Sequence, residues 1–173
     1  MKSFVKFGLF TGLAVSAWNL SCFTIVNWLN RIFSLDIPAA RIRAYSGLFG
    51  LIILILGIFL GMREVKRKNH YTISYGQALK VGISISLISA CIAGLFALAY
   101  CTLINPGYQD FMVREAESAL IAAKNSPEEI GKQLEKVRSQ FSTSNQVLQG
   151  IIAQSVIGTL SSLILGLFIK TKK

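Results

Sequence analysis

Charged side chains are absent from four long stretches of this chain, Phe7 to Asn30, Ala44 to Met62, Val81 to Gln109 and Ser139 to Ile169, and gather in the segments between them. A helix needs about 20 mostly apolar residues to cross the hydrocarbon core of a bilayer, and each stretch supplies close to that number or more. The pattern predicts spans over residues 7–28, 44–62, 81–104 and 147–169. The second is the most purely aliphatic, with LIILILGIFLG between Arg43 and Arg63. Trp28 is suited to the headgroup interface where the first helix leaves the lipid. The loop that follows, through Pro38, is short and of mixed charge, with a helical turn expected at Ala39 to Arg43.

Between the third and fourth stretches, at about 106–141, the period changes. Ser126, Pro127 and Glu129 form a helix start with an N-cap serine, proline at N1 and glutamate at N3, a capping box. Ile130, Leu134, Val137 and Phe141 then recur at spacings of four, three and four, an amphipathic helix. Phe111, Met112, Ala116, Ala119, Leu120 and Ala123 make a similar stripe before it. Two helices in a hairpin are expected, with Asn105 and Pro106 starting the first. TISYGQALK reads as an amphipathic lead into the third span, with Ile73, Tyr75 and Leu79 in the membrane interface.

Composition agrees with lipid as the main solvent. Mean hydropathy is +0.55 and only 15% of residues are charged, against about 25% in soluble domains. A net charge of +10 would suggest nucleic acid in a soluble protein, but its placement gives another meaning, and no nucleic-acid partner is expected. With an even number of spans, both termini and the middle loop share one side. That side holds ten bases (Lys2, Lys6, Arg63, Lys66, Arg67, Lys68, Lys80, Lys170, Lys172, Lys173) against Glu64, a net of +9. The other side holds eight bases against seven acids, a net of +1. Basic residues mark the cytoplasmic side, so both ends are expected there. Lys2 and Lys6 before an apolar run resemble a signal peptide, but the run continues through Trp28, so an uncleaved span is expected.

Candidate chemistry is sparse. Cys22, Cys91 and Cys101 all fall within spans without C-x-x-C spacing, which predicts packing and neither a disulfide framework nor a zinc site. His70 stands alone in the basic loop and reads as solvated surface. No Asp, Glu, Lys or Arg lies centrally in a span, which counts against ion-coupled transport. Asn19, Gln149 and Gln154 are read as glue between helices. The small residues Gly8 and Gly12, Gly57 and Gly61, Gly82, Ser86, Ala90 and Gly94, then Gly158, Ser162 and Gly166 recur every fourth position, which permits close helix approach within one chain. The bases Arg63, Lys66, Arg67 and Lys68 are expected to fix topology, ahead of specific lipid binding. Protease, hydrolase and P-loop signatures are missing. No catalytic residue, cofactor or metal is therefore assigned.

KFGLFTGL (Lys6 to Leu13), ISYGQALKVG (Ile73 to Gly82), INP (Ile104 to Pro106) and the closing LFIKTKK together resemble an uncharacterised four-span bacterial membrane-protein family, a domain of unknown function. The resemblance implies a bacterial inner-membrane protein with a charged helical segment between spans three and four, and carries no catalytic or binding residues with it. The expected architecture is all-α: a four-helix transmembrane bundle with an extracytoplasmic amphipathic hairpin between the last two spans. The expected role is non-enzymatic, through helix packing or contact with a second copy or another membrane protein. The alternative is a carrier or channel for a small uncharged solute, with Asn19 and Gln154 facing a polar path.

Overall fold

A chain this apolar must satisfy its backbone N–H and C=O groups internally, and a helix does so within one segment. The structure, a computed structural model, describes residues 3–33 and 39–171, with side chains described outside 23–24, 26–27, 29–31, 33 and 39–44. Its described residues are all-helical. In order they form α1 (Ser3–Phe33), α2 (Ala39–Lys68), α3 (Tyr75–Ala99), a π-helical turn (Tyr100–Ile104), α4 (Tyr108–Ala122), α5 (Pro127–Gln140) and α6 (Thr143–Ile169). The expected loop at Pro38, and Lys2, Lys172 and Lys173, lie outside the described residues, as do the side chains of Arg31, Arg41 and Arg43.

Among the described residues, Tyr45–Lys68, Tyr75–Ile104 and Thr143–Ile169 are each long and apolar enough to cross a membrane. Only 33%, 39% and 17% of their most apolar windows are buried within the chain, so most of that surface needs a cover from outside the chain. The buried residues include Thr11, Ser16, Ser46, Ser86, Ser89 and Ser162, while Leu56, Leu60, Leu95, Ile164, Leu167 and Phe168 are exposed. This distribution is inverted relative to a protein solvated by water, where large apolar side chains go inside. It suits lipid, in which helices meet through small and hydroxyl side chains and present aliphatic ones outward.

The chain divides into two compact units, residues 1–93 with 151–173, and residues 94–150. In the first, α1 and α2 run antiparallel. Gly61 of α2 lies against Phe7, Gly57 against Thr11, and Gly50 near Val15 and Asn19. Gly8 and Gly12 bring α1 onto Ile88 and Ile92 of α3, which runs parallel to it. Gly82, Ser86 and Ala78 meet Ser162, Gly158 and Gly166 in the reverse order, so α6 is antiparallel to α3. Each of these small-residue ladders is thus consumed within the chain. The core between them is aliphatic, with Ile58, Met62, Ile85 and Leu54 buried.

Ile73 departs from expectation. It is buried in this core rather than lying in the membrane interface. The reason is the start of α3, where Ser74 and Gln77 form a capping box: Gln77 N–H donates to the Ser74 hydroxyl (3.2 Å) and Ser74 N–H to Gln77 Oε1 (3.1 Å). A hydrophobic residue just before such a cap turns inward.

In the second unit, Asn105 does not begin a helix. Its N–H donates to Tyr100 O at 2.7 Å, closing the π-helical turn, and Gly107 is the N-cap of α4. The segment through Pro106 is therefore a stop, and α4 starts two residues later than the Asn-Pro signal predicts. Tyr108, Met112 and Val113 are the buried residues of α4, whereas Phe111, Ala119 and Ala123 are exposed, so its inner face is rotated from the expected stripe. The rings of Tyr100, Tyr108 and Phe141 meet edge to face, with centroids 5.6 and 6.1 Å apart. α5 begins at the predicted capping box, which is fully formed.

Candidate functional site

The basic end of the first unit gathers the polar chemistry of this chain. α2 ends in Lys66, Arg67 and Lys68, cations placed on the carbonyl end of a helix, where they oppose its dipole. Past them the backbone reverses through Asn69 to Thr72. His70 (φ 52°) and Tyr71 (φ 61°) both take left-handed conformations, and Thr72 N–H donates to Asn69 O at 3.0 Å. Glycine or asparagine usually fills such positions. The turn is held from outside by the end of α6. Thr171 N–H donates to Ile73 O and Ile73 N–H to Thr171 Oγ1, both at 2.9 Å. Lys66 Nζ donates to Ile169 O at 2.8 Å, capping the last residue of α6. A lysine read from the sequence as a topology marker therefore also joins two helix ends. Only the fold could show this, because 103 residues separate the partners.

A cleft opens beside this end, lined by Ser3, Lys6, Phe7, Glu64, Arg67 and Lys68. Arg67 Nη2 pairs with Glu64 at 2.8 Å, Lys68 Nζ lies 3.7 Å from the same carboxylate, and Lys68 Nζ donates to Ser3 Oγ at 2.9 Å. The cluster thus joins the first turn of α1 to the last of α2. Arg63 is exposed outside the cleft, and His70 is exposed.

Deeper in the helices, two of the three amides singled out in the sequence, Asn19 and Gln154, bond to neighbouring helices, whereas Gln149 does not join a seam. Asn19 accepts a hydrogen bond at Oδ1 from Ser46 Oγ (2.5 Å) and donates through Nδ2 to Val15 O (2.9 Å). Trp18 Nε1 donates to Ser46 O at 3.3 Å, and its ring lies 5.2 Å from that of Phe49. Gln154 Nε2 donates to Ser89 Oγ at 2.6 Å, and Ser86 Oγ donates to Gln154 O at 3.2 Å. Asn19 and Gln154 thus sit in separate seams, one between α1 and α2 and one between α3 and α6. Gln149 is exposed and Thr11 is buried, its hydroxyl having no hydrogen-bond partner among the described residues. Among the described residues, Cys22, Cys91 and Cys101 form no disulfide and there is no metal-binding cluster.

No curated protein and no solved structure matches the chain. A family described as a protein of unknown function, DUF4199, matches residues 6–171, from Lys6 in the cleft to Thr171 at the end of α6. The chain belongs to the DUF4199 family.

Proposed function

We propose that this is a multi-pass protein of the bacterial inner membrane with four spans, both termini cytoplasmic and α4 and α5 outside, which acts without catalysis by contact with a membrane partner. α1 is the added span, since its uncharged stretch from Phe7 to Asn30 exceeds the roughly 20 residues a crossing needs. The observation that carries the reading is the occupation of the inner seams. Asn19 Oδ1 accepts from the Ser46 hydroxyl and Gln154 Nε2 donates to the Ser89 hydroxyl, and the small-residue ladders close on neighbouring helices of the same chain. What remains for a partner is the outward surface of the helices. A solute path past Asn19 and Gln154 would need those amides free of the bonds they make.

Crosslinking in native membranes tests the proposal. Recovery of a second copy or another membrane protein, crosslinked through exposed positions such as Ile164 and Leu167, is the expected result. Recovery of uncomplexed monomer alone counts against it.

A further inference from the structure

The cleft at the basic end is open on one side and offers about 320 Å³ between the start of α1 and the end of α2. It brings three cations, Lys6, Arg67 and Lys68, to one carboxylate, Glu64, leaving a net charge of +2. Glu64 is already engaged by Arg67 and Lys68. The pairing uses only Nη2 of Arg67, so the rest of its guanidinium fork stays available among the described residues. Lys6 is exposed and makes no hydrogen bond or ion pair there. Ser3 adds a hydroxyl and Phe7 an apolar wall.

We propose that this cleft binds a phosphate group, with the headgroup of an anionic phospholipid as the expected source and a soluble phosphate as the other. Guanidinium and ammonium donors converging with a hydroxyl match the several acceptor oxygens of a phosphate. The volume lies at the small end of ligand pockets, roughly 300–1,000 Å³, and suits a headgroup rather than a large cofactor. Its depth points to lipid: Phe7 opens the uncharged stretch of α1 and Met62 closes that of α2, so the cleft stands where hydrocarbon gives way to headgroups. The lipid source rests on the membrane reading above. The phosphate chemistry does not.

The full chain, purified in a neutral maltoside detergent, is titrated with dioctanoyl phosphatidic acid, with dioctanoyl phosphatidylcholine and with inorganic phosphate. Phosphatidic acid is expected to bind more tightly than phosphatidylcholine. Lys6→Gln with Arg67→Gln weakens it about tenfold or more, as loss of two converging cations implies. Lys6→Gln alone, which breaks no described contact, weakens it less, and Lys6→Arg restores it. Lys80→Gln, a base outside the cleft, leaves the affinity unchanged. Binding of inorganic phosphate with the same dependence on Lys6 and Arg67, and without preference for phosphatidic acid, supports the site with a soluble source. Binding of neither probe, or equal weakening by Lys80→Gln, overturns the proposal. A chain that stays dissolved without detergent defeats the membrane reading separately, and phosphate titration still reports on the cleft.

Discussion

A methyl group built on Gly158 would lie 2.6 Å from Ser86 Cβ, a close approach that a real side chain does not tolerate. Ser86 is itself buried and donates to the carbonyls of Gln154 and Ser155, so it cannot swing away without losing these bonds. Gly158→Ala is therefore expected to destabilise the protein by about 1–3 kcal/mol through overpacking. The same change at Gly131, where an added methyl meets nothing within 4 Å, should stabilise by roughly 0.5–1 kcal/mol from helix propensity. Thermal unfolding in detergent separates the two, and equal effects at both positions would show that the α3 and α6 seam is not tight. Thr11 carries the opposite lesson, since its buried hydroxyl lacks a hydrogen-bond partner among the described residues. Thr11→Val removes that desolvated group and is expected to raise stability by about 1 kcal/mol, read in the same assay. The every-fourth spacing of small residues was legible in the sequence because helical geometry puts such positions on one face. Which of them faces which helix was not, since that depends on register between segments far apart in the chain.

Helix ends show where local signals succeed and where they compete. Ser126 and Glu129 satisfy each other's backbone groups at the start of α5. The Glu129 carboxyl is held below its ordinary value of 4.5 by the Ser126 N–H and then by the Ser126 hydroxyl, against an opposing effect of desolvation. A carboxyl whose folded pKa is lowered contributes stability that is present above its unfolded pKa and lost as pH falls through the folded one. Amide exchange in the first turn of α5 should accordingly quicken as pH is brought below about 4.5, after correction for intrinsic exchange. Glu129→Gln should abolish that dependence, and an unchanged profile in the variant would rule the carboxylate out. At the other end of the α4 to α5 turn, Lys124 takes a left-handed conformation (φ 59°). Asn125 N–H reaches Leu120 O (3.3 Å) and Lys124 N–H reaches Ile121 O (2.9 Å), the paired bonds of a Schellman ending. Glycine takes this conformation without the penalty of a Cβ, so Lys124→Gly is expected to stabilise by about 1 kcal/mol, measured by chemical unfolding. The Ser126 box was legible because all its parts lie within four residues. Asn105 misled for the complementary reason: Asn-Pro-Gly suits a helix start, but the π-helical turn had already claimed the asparagine N–H.

For the whole molecule, the cleft and the lysine bridge to α6 could not be read in advance, because the segments they join lie at least 57 positions apart, as Phe7 and Glu64 do, and meet only through helix packing. Charge placement, by contrast, is additive along the chain and needs no packing to be read. The proposed topology puts a net of +9 on the side of the Arg63 to His70 turn and +1 on the side of α4 and α5. Basic residues near span ends are retained in the cytoplasm, so this asymmetry sets the direction of every helix at once. A phosphatase reporter, active only when exported, should be inactive when fused after His70 and active when fused after Asn125. That pair fixes the orientation, and the position of the N-terminus then fixes the number of spans. With α1 crossing, the turn after α2 lies on the same side as Lys6; without it, those two lie on opposite sides. Accessibility of a cysteine placed at Ser3 decides between them. Labelling of that cysteine from outside, with His70 inside, would leave three crossings and remove the proposal of four. Protection at both, with Asn125 exposed, is the result that the lysine-rich ends require.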